Sequence, residues 1–178
     1  IKIIVEKIIQ KFIHTIEYKK VLKYISNYVE HNEIMNYKKM NLYEHQKSIY
    51  NVFKNHNEPK FIWYCAPTSS GKTLTPIGLT NDYKVLFMCA SKHIGLSLAK
   101  SSYFCHKKIA FALGCNDTED IRLNYNAVNK YKILKNGRKI PDNTDGTKVE
   151  MIICDLLSFE VAMIYMKSFH PLNKIVLF

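Results

Sequence analysis

The sequence predicts an α/β domain, a mostly parallel sheet covered by helices, with a helical segment in front of it. Three observations predict it. Five short runs are nearly continuous in their apolarity: "KFIWYCA" (60–66), "KVLFMCA" (84–90), "KIAFALG" (108–114), "VEMIICD" (149–155) and "NKIVLF" (173–178). Continuous apolar strands are buried on both faces, as in a parallel sheet between helices. Stretches of helical character lie between the runs, at 44–55, 72–79, 92–103, 118–129 and 156–167. Strand then helix, repeated, is the doubly wound pattern.

Residues 1–40 form the helical segment. Ile1, Ile4, Val5, Ile8, Ile9, Phe12, Ile13 and Ile16 recur at helical spacing, followed by Val21, Leu22, Ile25, Tyr28 and Val29. This reads as one long or two short amphipathic helices that bury one face. Glu6, Glu17 and Glu30 dilute the basic face, which favours a packing helix over a membrane-surface one. Residues 41–178 form the α/β domain. Within it, "YKILKNGRKIPDNTDGTK" (131–148) breaks the rhythm. Its Asn136-Gly137 pair is a hairpin signal, with positive φ expected at both residues.

Composition bounds the class. The chain has 178 residues, 47% of them hydrophobic, enough for one domain with a core. No apolar run reaches the roughly 18–20 residues of a membrane helix. Charges interrupt "IKIIVEKIIQKF", unlike a secretory leader, so a cytoplasmic, nuclear or virion-associated protein is expected, not a secreted one. The net charge of +11 suits a phosphate-bearing partner. Almost all of it is Lys, since the only arginines are Arg122 and Arg138. Abundant Lys, Asn and Ile also follow from an AT-rich genome, such as that of a large DNA virus. The five cysteines, Cys65, Cys89, Cys105, Cys115 and Cys154, form no C-x-x-C pair and no zinc spacing. They read as reduced, buried, small hydrophobes.

One stretch carries chemistry. "APTSSGKT", Ala66 to Thr73, fits [AG]-x-x-x-x-G-K-[ST] between an apolar run and a helix. Such a loop wraps backbone N–H groups around phosphates, and only small residues allow that approach. Ala66, Pro67, Thr68, Ser69, Ser70 and Gly71 supply the cradle. A helix starting at Lys72 aims its positive end at the anion. Lys72 reaches the β- and γ-phosphates, and Thr73 offers a hydroxyl to Mg²⁺.

With that motif the chain resembles the superfamily 2 helicases and translocases, in their first RecA-like domain. "APTSSGKT" is similar to the family's A-x-T-G-S-G-K-T, with Ser69 where Gly is usual. "NLYEHQKSIYNVF" (41–53) looks like the family's upstream segment. The resemblance implies that Gln46 reads the adenine edge and that Tyr43 stacks on the base. "VLFMCASKHIGLSLAKS" (85–101) looks like the next motif, whose loop holds a nucleic-acid backbone. That places Ser91 as an N-cap, with Lys92 and His93 facing phosphate. Loops at 112–120 and 152–160 fall where further nucleic-acid contacts are expected. Asp155 lies on the wrong strand to hold the metal.

The resemblance implies ATP and Mg as cofactors and DNA or RNA as partner. In the family an Asp-Glu pair follows the strand at 173–178, and a second lobe follows that. The expectation is therefore the ATP-binding half-motor of a larger chain or assembly, which by itself binds ATP without hydrolysing it usefully. The alternative is a non-catalytic P-loop module with a structural role. A P-loop kinase is disfavoured by the Gln46 segment and the Ser91 loop.

Overall fold

The computed structural model describes residues 42–54 and 58–178. The chain divides into two units, Ile1–Met40 and Asn41–Phe178. The helices expected over residues 1–30 lie outside the described residues.

The second unit is an α/β fold, a five-stranded, mostly parallel sheet packed against helices. Helix α1 (Glu44–Lys54) comes first. A 3-10 turn, Lys72–Leu74, leads into the short helix α2 (Thr75–Leu79). Strand β1 (Lys84–Cys89), helix α3 (Lys92–Phe104) and strand β2 (Ile109–Ala112) follow. Strand β3 (Arg122–Leu123) precedes a separate hairpin of β4 (Tyr131–Ile133) and β5 (Lys139–Pro141). Strand β6 (Met151–Asp155), helix α4 (Phe159–Phe169) and strand β7 (Ile175–Leu177) close the unit.

The sheet order is β3-β2-β6-β1-β7, with β3 antiparallel at one edge and the rest parallel. The two central strands, β1 and β6, pair from Val85 with Met151 to Cys89 with Asp155. Their runs are apolar because both faces are covered: Val85, Leu86, Met151, Ile152, Ile153 and Cys154 have no exposure. Gly95 lets α3 settle on this sheet. A Cβ there would stand 2.8 Å from Ile153 Cγ2 and 2.9 Å from Cys89 Sγ.

Four expectations are corrected. Residues 60–66 form no strand. Phe61, Trp63 and Cys65 face outward while Ile62, Tyr64 and Ala66 are half-buried, so the run is apolar on both sides yet covered on one. Residues 118–129 form no helix. Asp117 and Asp120 close a capping box around one 3-10 turn, and Ile121 then turns extended (φ −62°, ψ 134°) into β3. Asn136 does not take positive φ; Gly137 alone does, at 77°. Gly137 N–H donates to Leu134 O and Leu134 N–H to Arg138 O, the pattern of a three-residue loop with a glycine bulge. Of the cysteines, Cys89, Cys115 and Cys154 are buried, but Cys65 is exposed and Cys105 half-buried. All five are free thiols. Burial first, with the charges of Cys89 and Asp155 adding, pushes the Cys154 thiol up to about 12.

Candidate functional site

The loop 66–73 is shaped by two left-handed residues. Ser69 has φ 61° and Gly71 has φ 78°. Glycine accepts that region freely, whereas a residue with a Cβ is strained in it. Between them, Ser70 Oγ donates to Pro67 O at 2.7 Å and closes the turn. Lys72 Nζ folds back over the loop and donates to the carbonyls of Ala66 and Pro67. The continuous helix expected from Lys72 is replaced by the 3-10 turn, with α2 beginning only at Thr75. Pro76 sits in the first turn of α2, where its missing N–H is tolerated.

Gln46 is brought to this loop from α1. It is buried at 6% exposure, and both ends of its amide are used. Oε1 accepts from Tyr43 N–H at 3.1 Å, and Nε2 donates to Gly71 O at 3.1 Å. Leu74 N–H also donates to Gly71 O, at 3.0 Å. The Gly71 carbonyl is thus fixed towards Gln46 and the following turn. Peptide planarity sends the Lys72 N–H the opposite way. The Tyr43 ring lies beside the same glycine: a Cβ on Gly71 would stand 3.9 Å from its Cε2. Tyr43 is 56% exposed and stacks on His45, with ring centroids 5.5 Å apart. Tyr43, Gln46, Gly71 and Lys72 therefore converge on one loop.

Thr73 is half-buried in the 3-10 turn. Among the described residues, no group of three or more His, Cys, Asp or Glu side chains is placed to hold a metal ion. Thr73 alone offers one neutral oxygen, so a cation here would take most of its ligands from elsewhere.

Ser91, Lys92 and His93 lie at the carboxyl end of β1, where α3 begins. Ser91 is the N-cap residue in backbone terms (φ −130°, ψ 131°), but its hydroxyl makes no capping hydrogen bond. Lys92 and His93 are exposed. Helix α3 also contacts the Lys72–Leu74 turn, which puts this helix beside the loop.

Asp155 ends β6, separated from β7 by β1. Its carboxylate accepts from Gly114 N–H at 2.8 Å and Ser158 N–H at 2.9 Å. Burial opposes its charge, but the Ser158 side chain, then the two backbone amides and nearby Lys92, outweigh burial and hold the carboxyl below its usual range. Asp155 is thus a tie between loops at the carboxyl edge of the sheet.

Sequence reasoning did not single out His45, Tyr64 and Thr75. His45 Nδ1 and the Tyr64 hydroxyl are 2.6 Å apart, and Tyr64 OH is 3.1 Å from Thr75 Oγ1. The available signals were weak: Tyr64 lies two residues before Ala66, and Thr75 lies one helical turn after Gly71.

Searches against protein-family models, curated proteins and solved structures found no match to this chain.

Proposed function

We propose that residues 41–178 are a RecA-like, ATP-binding domain, the N-terminal half-motor of a superfamily 2 helicase or translocase acting on DNA or RNA. The observation that supports it most is the meeting of Gln46 and the loop 66–73 at Gly71. An ordinary turn into a helix does not require a buried glutamine from another helix on its carbonyl.

The geometry is compatible with a role for each residue. Lys72 exchanges two neutral carbonyls for charged phosphate oxygens, which are stronger acceptors for an ammonium. Gln46 retains one N–H and one lone pair beyond its present bonds, the pair needed for an adenine edge. Tyr43 offers an exposed ring for the base. Mg²⁺ would be held by the nucleotide's own phosphates, with the Thr73 hydroxyl as one ligand. Ser91, Lys92 and His93 would meet the nucleic-acid backbone, to which the net charge of +11 is suited. The activity expected of this domain by itself is ATP binding.

A second reading is a P-loop module with a structural role. Ser69 in a left-handed conformation and the commitment of Asp155 to two backbone amides favour it. Equilibrium binding decides. The first reading expects ATP binding, and binding of a single-stranded oligonucleotide that weakens steeply with salt. A chain that binds neither contradicts it.

A further inference from the structure

The segment that leads into the loop takes no part in the sheet. In an α/β domain, ladder hydrogen bonds normally fix where a strand ends and its loop begins. Here the fixing falls to side chains, and Tyr64 makes most of it. Its hydroxyl lies between His45 Nδ1 on α1 and Thr75 Oγ1 on α2, at 2.6 Å and 3.1 Å. Its ring meets Phe178 edge-on, centroids 6.1 Å apart. Thr75 is fully buried and reaches back to Gly71 O at 3.5 Å. From the other side, Tyr50 OH donates to Thr75 O at 3.0 Å.

The protons can be placed so that every contact is used. His45 Nδ1–H donates to the Tyr64 oxygen, Tyr64 O–H donates to Thr75 Oγ1, and Thr75 O–H donates to Gly71 O. The opposite direction leaves Gly71 O without its hydroxyl donor. In the forward direction His45 Nε2 carries no hydrogen. That nitrogen is buried with no hydrogen-bond partner, and a buried unpaired acceptor is less costly than a buried unpaired N–H.

We propose that Tyr64 is the positioning residue of the phosphate loop: through His45 and Thr75 it sets the start of the loop against the turn that follows it, in place of sheet pairing. This rests on the reading that the loop binds nucleotide phosphates. Tyr64 touches no phosphate itself. It acts through Thr75 and the Gly71 carbonyl, and so on the direction of the Lys72 N–H.

The test compares Tyr64→Phe, Thr75→Val and Thr75→Ser with the wild-type full chain, titrated with ATP and with inorganic triphosphate. Tyr64→Phe keeps the ring against Phe178 and removes both hydroxyl contacts. It is expected to bind ATP and triphosphate about tenfold more weakly, by a common factor, since the lost contacts serve the phosphate end. Thr75→Val should show the same loss, and Thr75→Ser, which keeps the hydroxyl, should bind like wild type. That rescue is the readout a merely space-filling side chain would not give. Should Tyr64→Phe fail to fold, the two Thr75 variants decide alone. Unchanged triphosphate affinity in Tyr64→Phe, or equal affinity in Thr75→Val and Thr75→Ser, overturns the proposal and leaves the nucleotide reading standing. A wild-type chain that binds neither ligand overturns both.

Discussion

The two left-handed residues of the loop 66–73 should respond to substitution with opposite signs. Gly71 has φ 78°, and an alanine there adds a Cβ 3.1 Å from Gln46 Nε2. The left-handed region costs a residue with a Cβ about 1–2 kcal/mol. Gln46 must also give way, and it is buried and held at both ends of its amide, so part of a hydrogen bond worth about 1 kcal/mol is lost. Against this, alanine narrows the unfolded ensemble and recovers about 0.4–1 kcal/mol. Gly71→Ala is therefore expected to destabilise the unit by about 1–2 kcal/mol. Ser69, at φ 61°, is exposed and already bears the left-handed cost. Ser69→Gly removes that cost and widens the unfolded ensemble, for a net gain of up to about 1.5 kcal/mol. Urea unfolding of the two variants beside wild type reads both changes as shifts of midpoint at constant slope. Two shifts of the same sign would refute the assignment of both residues to the left-handed region. A Gly71→Ala chain as stable as wild type would refute the tight approach of Gln46.

Two further outcomes follow from charge. Burial first, then the nearby Lys84 charge, holds His170 below its ordinary value of 6.5. Between that lowered value and 6.5 the unfolded chain binds more protons, so stability rises with pH there and falls on acidification. His170→Asn should flatten the dependence below pH 6.5, measured by denaturant unfolding, and an unchanged slope would contradict the cause assigned. Asp155→Asn keeps one acceptor but turns an amide N–H towards Gly114 or Ser158. It should lower stability by about 1 kcal/mol at neutral pH, after solvent screening. Since the Asp155 carboxyl sits below its usual range, this contribution is present above about pH 4 and is lost as pH falls through the folded value. A variant that matches wild type at neutral pH would show the two backbone amides to be satisfied without the charge.

The central strands were legible because burial on both faces leaves no polar position. The runs at 84–90, 108–114 and 149–155 became β1, β2 and β6 within a few residues. The run at 60–66 has the same composition and is no strand, because composition reports apolarity and not a hydrogen-bonding neighbour. Its outward Phe61 and Trp63 are 92% and 85% exposed. Residues 118–129 looked helical by length and spacing. A local acid-capped turn and pairing of Leu123 with Ala110 prevailed over that propensity. At the candidate site, the motif placed Gly71 and Lys72, and the resemblance placed Tyr43 and Gln46 beside them. The His45, Tyr64 and Thr75 contacts were not legible, since they join residues 11 and 19 positions apart through hydroxyl directions that no spacing rule encodes.

The central claim, that residues 66–73 cradle nucleotide phosphates, is tested most directly by calorimetric titration of ATP into the wild-type chain and into Lys72→Ala. Saturable one-to-one binding to the wild type and its loss in the variant are expected, with the variant's unfolding midpoint near that of the wild type. Equal binding by the two proteins, or none by the wild type, would contradict it.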